Sequence, residues 1–342
     1  MAATIKELSQ YCGLSISTVS KALNGYADIS EKTRAAVLRA AEEIGYHPSA
    51  IARALKTNRT YNIGVLFVDE NESGLTHHYF SAVLDSFKRE AERRGYDITF
   101  INHNIGRTQM TYLEHSRYRN VDGLCLACVD FYSPEVVELS RSDLPLVTID
   151  HPFMGHTCVQ SQNEAGMREL VRYVYGKGHR RIAFVHGGRS TVTDLRISGF
   201  YTSMGELGLE VFAPYIAGCS YCNPSSAYVE VKRLLRLSTP PTCILMSDDY
   251  AALGALQAAE EAGLRVPEDL SVAGYDGIQL TQLLRPRLTT LRQDTERIGC
   301  EAAARLVDRI EQPEAFCPPF VFVPGELIEG QTVASISQKA FY

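Results

Sequence analysis

From Asn62 onward the chain alternates short apolar runs with longer segments of helical period, and this alternation restricts its fold more than any other feature. The runs are "NIGVLFV", "YDITFIN", "VDGLCLA", "LPLVTID", "RIAFVHG", "TCILMSD" and "LSVAGYDG", and between them lie periodic stretches such as 78–94, 163–177, 194–207 and 249–262. Strands apolar along their whole length need cover on both faces, and a helix between successive strands makes the strands parallel. Repeated seven times or more, the unit predicts an α/β body of two doubly wound parallel sheets.

Such sheets bind ligands beyond the carboxyl ends of their strands, and two facing halves enclose a cleft there. Those ends carry Asp69, Asp150, Gly187-Gly188, Asp248-Asp249 and Asp276. Taken singly, a strand-end aspartate is as readily the cap of the next helix, and Asp249, before "YAALGALQAAEEAG", reads that way. As a group with Arg196 they form a plausible clamp, because carboxylates accept hydroxyl protons while a guanidinium donates several hydrogen bonds. Nucleotide chemistry is not offered: no GxxxxGK[ST] loop occurs, and no GxGxxG follows the first strand.

Length and composition set outer bounds. A chain of 342 residues, 45% hydrophobic, divides into two or three domains. No apolar run approaches the roughly 20 residues that span a bilayer, and "MAATIKELSQYCG" lacks the plan of a signal peptide, so the expected address is cytoplasmic, with no membrane partner. Nine cysteines at irregular spacing read as a reduced set. Cys125 and Cys128 lie three apart on a strand and face opposite sides; Cys219 and Cys222, in the loop "AGCSYCNP", have no further His or Cys pair at zinc-site spacing. No metal or cofactor is expected.

Charge is unevenly spread. The net value is −6, yet residues 1–60 hold eight Lys and Arg against five Asp and Glu, while the remainder holds 26 against 35. A basic end on an acidic body points that end toward nucleic acid. Within it, Thr4 and Glu7 form a capping box ahead of Ile5, Leu8 and Cys12; Gly13 permits a turn, and Ser15 caps a second helix with Val19, Ala22 and Leu23 inward. The outer face of that helix is Ile16, Ser17, Thr18, Ser20 and Lys21. Ser30 caps a third helix that ends at Gly45. Three short helices with a glycine turn describe a helix-turn-helix, although spacing alone also fits any three-helix cap.

The segments "TIKELSQYCGLSISTVSKALNG", "ISEKTRAAVLRAAEEIGYHPSAIARALKT" and "NIGVLFVDE" resemble the LacI/GalR family of bacterial transcription regulators, and the likeness runs through nearly the whole chain. It implies that the second helix enters the major groove of operator DNA, with Ile16, Ser17 and Lys21 as base readers and Thr4, Thr18, Ser20, Asn24 and Thr33 binding phosphate or orienting the helix. Lys21 stands where arginine is common and lacks its planar fork. "HPSAIARALKTNRT" allows only about two helical turns, too few to stand alone in water. In the family this is a hinge helix ordered in the minor groove, which makes Leu55 the wedge between base steps and sets Arg53 and Lys56 against phosphate or groove.

The body would then have the periplasmic-binding-protein-like fold, with a small-molecule effector between two lobes. The resemblance assigns Arg196 and Asp276 to that effector, adds Tyr79 and Phe80 as an aromatic pair, and leaves Asp150, Asp248 and Tyr221 as further contacts. Asp248 stands where asparagine or a small polar residue is frequent. The expected domains are a DNA-binding head at 1–46, a hinge at 47–60, an N-terminal lobe at 61–160 and 292–320, and a C-terminal lobe at 161–291 and 321–342. The chain should cross between lobes near 158–162, 291–294 and 318–322. The expected function is a repressor, not an enzyme, that binds a palindromic operator as a homodimer and answers to a carbohydrate effector. The alternatives are a cytosolic sugar-binding enzyme, with Asp150, Asp248 and Asp276 as acid/base groups, and a solute receptor that keeps only the cleft.

Overall fold

In the computed structural model, residues 3–47, 59–69 and 74–336 are described, and they fall into two compact units that divide at Tyr61/Asn62. The first unit is built from helices Ile5–Cys12, Ile16–Leu23 and Glu31–Ile44. Leu8, Val19 and Val37 are fully buried at their junction, with Ala22, Ala40 and Ala41 around them, which is the inward face that helical spacing marks in the sequence. Gly13 adopts φ 64°, in the left-handed region that glycine enters without a Cβ penalty, and this closes the first helix tightly onto the second.

The second unit holds fourteen described strands. In chain order they are β1 (Asn62–Phe67), β2 (Asp97–Phe100), β3 (Asn104–Ile105), β4 (Thr108–Gln109), β5 (Gly123–Ala127), β6 (Leu146–Ile149), β7 (Thr157–Ser161), β8 (Ile182–His186), β9 (Ile216–Gly218), β10 (Cys243–Met246), β11 (Ser271–Asp276), β12 (Thr289–Arg292), β13 (Phe320–Val323) and β14 (Glu326–Ile328). One sheet has the order β13-β7-β6-β5-β1-β2, and the other β14-β12-β11-β10-β8-β9; β3 and β4 form a small hairpin. Every pair in the two large sheets is parallel except β12 with β14.

Helices cover both faces of each sheet, as wholly buried strands such as β5 and β10 require. On the first lobe the pair His78–Arg93 and Thr295–Glu311 covers one face. On the second, Asn163–Gly176 pairs with Thr191–Glu206, and Pro224–Leu235 with Asp249–Glu261. The strand assignments place the three crossings between Ser161 and Asn163, between Arg292 and Thr295, and between Val323 and Glu326. The third lies later than the sequence reading put it, because Val321–Val323 continue the ladder of Phe320 along β7 and stay in the first lobe. Arg292, in turn, closes β12 of the second lobe. No helix among the described residues is long and apolar enough to cross a membrane.

Candidate functional sites in the head and in the cleft

In the head, hydroxyl caps fix where each helix begins. Thr4 Oγ1 accepts the Glu7 N–H at 3.3 Å and Glu7 Oε2 accepts the Thr4 N–H at 2.7 Å, completing the capping box. Ser15 and Ser30 accept the N–H groups of Thr18 and Thr33, each at 3.1 Å, and the paired hydroxyls lie 2.8 Å apart. Asn24 donates to the Ser20 carbonyl at 2.7 Å. With Val19 and Ala22 turned inward, the second helix presents Ile16, which is 48% exposed, together with Ser17 and a half-buried Lys21. Lys21 Nζ is ion-paired with Asp28. Sequence reasoning missed this pairing, although Asp28 is the one acid between Glu7 and Glu31. Arg53, Leu55 and Lys56 lie outside the described residues.

In the cleft, the fold gathers side chains far apart in sequence around Arg196. This guanidinium is 3% exposed; its Nε donates to Asn163 Oδ1 at 2.9 Å, its Nη1 donates to the Ser247 carbonyl at 2.7 Å, and its plane lies 3.5 Å from the centre of the Tyr275 ring. Nη2 remains 3.9 Å from Asp276 Oδ1, which also accepts from Gln293 Nε2 at 2.7 Å. Tyr79 donates its hydroxyl to Asp150 Oδ2 at 3.2 Å, while Asp150 Oδ1 is buried with no hydrogen-bond partner. Tyr221 lies 2.8 Å from the Thr193 hydroxyl, and its ring occupies the space a Cβ on Gly187 would need. Tyr79, Asp150, Tyr221, Tyr275 and Asp276 all feel the charge of Arg196.

Burial governs the electrostatics of this cluster. It raises the Asp150 carboxyl to about 6 against the opposing pull of Arg196, and it holds Asp276 well above the usual carboxylate range. Both residues have positive φ, 68° and 101°, a conformation that costs energy outside glycine and is found at functional sites. Two histidines tie one lobe to the other. His77 Nδ1 accepts the Phe80 N–H at 3.4 Å, so its proton sits on Nε2, 3.2 Å from Cys222 Sγ; His151 Nδ1 lies 2.8 Å from Thr191 Oγ1. A neighbouring cavity of about 470 Å³ shares Tyr79 and Asp276 and extends to Asp85, Gln279 and Arg292.

Three residues sit differently from the sequence reading. Asp248, not Asp249, caps the helix Asp249–Glu261: its Oδ1 accepts the Ala251 N–H at 2.9 Å, and its Oδ2 accepts from the Ser247 hydroxyl and the Cys222 N–H. Asp249 is the first residue inside that helix and binds the loop beyond β11, accepting from the Ile278 N–H and from the hydroxyls of Thr281 and Thr290. Phe80, half-buried, packs edge-on against Phe67, His77 and Tyr79. Asn163, Tyr275 and Gln293, which hold Arg196 and Asp276, went unread, yet each stands at a place the sequence had marked, beside a lobe crossing or next to Asp276. Cys219 and Cys222 are free thiols, and no group of three metal-ligating side chains occurs among the described residues.

Residues 4–49 match the family model for bacterial regulatory proteins of the lacI family, and residues 171–333 match that of the periplasmic binding protein-like domain. The chain is 34% identical over 316 residues to the HTH-type transcriptional repressor PurR of Pectobacterium carotovorum subsp. carotovorum (strain PC1), covering 90% of each chain. It is 32% identical over 340 residues to PurR of Edwardsiella ictaluri (strain 93-146), covering 97% of each. Among solved structures, the lac repressor dimer bound to operator and the anti-inducer ONPF is similar in fold, with TM-score 0.82 and 24% identity over 98% of this chain and all of that one. A complex of the transcriptional regulator CelR with cellobiose matches with TM-score 0.70 and 25% identity, covering 96% of this chain and 99% of that one.

Proposed function

The chain belongs to the LacI family of bacterial regulatory proteins, whose members similar to it are transcriptional repressors, and from that premise we propose that it represses by binding a palindromic operator as a homodimer, controlled by a hydroxylated small molecule, a sugar or sugar derivative, between its lobes. One helix-turn-helix reads a half-site, so a two-fold dimer is the arrangement that reads a palindrome. Ile16, Ser17 and Lys21 are the base-reading residues in this proposal, with Thr4, Thr18, Ser20, Asn24 and Thr33 at the backbone and Arg53, Leu55 and Lys56 in the hinge. Effector contacts are assigned to Tyr79, Phe80, Asp150, Arg196, Tyr221, Asp248 and Asp276, with Asp248 also capping the helix Asp249–Glu261.

The observation that carries the effector reading is Arg196, only 3% exposed and fixed on three sides, with one amino group left facing Asp276 and an unpartnered Asp150 oxygen in the same cluster. Buried polar atoms without partners are costly, and a ligand rich in hydroxyls would satisfy them. Gel shift with a palindromic fragment from the regulator's own promoter should give binding that weakens steeply as salt rises. A sugar panel in thermal shift should return a compound that raises the melting temperature, and Arg196→Ala should abolish that rise. Salt-insensitive or absent operator binding would sink the repressor reading; a compound consumed during the assay would favour an enzyme.

A further inference from the structure

The sheet of the first lobe ends in β13, and this edge lacks the usual electrostatic defence. Residues 315–325 read "AFCPPFVFVPG" and carry no charged side chain. Edge strands are commonly blunted by charge, because an open row of backbone N–H and C=O groups is a template for another strand. β13 stands at the end of the strand order and pairs with β7 on its inner side. Its side chains alternate: Val323 is buried and Val321 half-buried, whereas Phe320 and Phe322 are 41% and 51% exposed. The two rings stack with centroids 5.6 Å apart, within 9° of parallel.

The backbone pattern decides what fits this edge. Cys158 N–H donates to the Pro319 carbonyl and Gln162 N–H to that of Val323, so in this parallel ladder Pro319, Val321 and Val323 turn their backbone groups toward β7. Pro318, Phe320, Phe322 and Pro324 therefore turn theirs outward. Among these, only the phenylalanines have an N–H to donate, and the prolines close the usable edge at both ends. An antiparallel strand related by a two-fold axis at Val321 sets Phe320 opposite Phe322 of the second copy, and Phe322 opposite Phe320. Each such pair exchanges both of its N–H···O=C bonds, and the rings meet across the strands on the open face. A register shifted by two residues puts a proline opposite a phenylalanine carbonyl and leaves that carbonyl unpaired. The edge is complementary to itself, and the prolines select the register.

We infer that β13 is a self-association edge, where two copies of the chain join strand to antiparallel strand and run the sheets of their first lobes into one. This goes beyond operator binding and does not depend on it. An aromatic side chain buries about 150–250 Å², so half-exposed rings from both copies bury on the order of 400 Å², short of the roughly 1,200 Å² of a standard stable interface. The contact is therefore weak and reversible, and it forms as concentration rises.

Sedimentation of the full-length protein tests it, over a dilution series from about 100 μM to about 1 μM, where an interface of this size dissociates. At the upper end the wild type should reach twice the mass of the double variant Phe320→Ser, Phe322→Ser, which should melt at an unchanged temperature. Phe322→Lys alone serves if the double variant does not fold, since a lysine on an edge strand repels its own copy. Amide exchange over residues 320–323 should slow as the wild type associates, because pairing protects the outward N–H groups. A wild type that keeps the variant's mass at every concentration overturns the inference and transfers the edge to a strand of a different protein. Association that leaves those amides exchanging freely overturns it as well.

Discussion

Asp249 has three hydrogen-bond donors aimed at it, and burial still wins: its carboxyl is raised to about 7. Thr290 serves one oxygen, while Ile278 N–H and Thr281 serve the other. An amide cannot accept at both positions, so Asp249→Asn should strand a buried donor and lower stability by about 1–3 kcal/mol, measurable by denaturant unfolding. Titration gives a second prediction. Asp150 and Asp249 bind protons more readily in the folded chain than in the unfolded one, so their contribution is fully present below the ordinary carboxylate pKa near 4 and is lost as pH rises through about 6 and about 7. The ligand-free protein should therefore lose melting temperature between pH 5 and pH 7.5, and Asp150→Asn should flatten that slope.

Packing between helices depends on three glycines. A Cβ on Gly254 would lie 2.0 Å from the Pro224 carbonyl oxygen, on Gly199 2.4 Å from that of Glu164, and on Gly299 2.2 Å from that of Val83. Each glycine sits where one helix of a covering pair meets its partner's backbone, so Gly254→Ala should force the pair apart and cost about 1–3 kcal/mol in a melt. The second helix of the head, Ile16–Leu23, offers a test of a different kind. Its Lys21 is held by Asp28 at the surface, and that carboxylate must give way before the lysine can reach a base or phosphate. Asp28→Asn should strengthen DNA binding and steepen its salt dependence by about one released counterion, read from gel shifts at several salt concentrations; unchanged affinity would place Lys21 away from the DNA.

At the scale of the molecule, the lobes are joined at both rims by residues that bond across the cleft, His77 to Cys222 and His151 to Thr191. A ligand that binds only this arrangement of the lobes must stabilise it by mass action, about 2.7 kcal/mol at a concentration 100 times its dissociation constant. Cys222→Ala removes one tie without touching Arg196, so it should weaken ligand binding several-fold while ligand-free operator affinity stays unchanged. Calorimetry and gel shift on the same preparation separate the two effects.

Much of this was legible along the chain, for identifiable reasons. Helix starts in the head follow from Thr4, Ser15 and Ser30, because a cap is a local bond between residues three apart. The parallel sheets follow from apolar runs alternating with helical periods. Asp150 and Asp276 were marked because strand ends face the cleft in any doubly wound sheet, and Arg196, inside the helix Thr191–Glu206, through the family resemblance. What only the tertiary structure decided is how those groups are held. Asn163, Ser247 and Tyr275 reach Arg196 from three separate elements, and the choice between Asp248 and Asp249 as cap turned on which carboxylate the loop at Ile278 and the strand at Thr290 claimed. Local periodicity records which way a side chain faces; its partners come from parts of the chain dozens of residues away, and only folding brings them within a hydrogen bond.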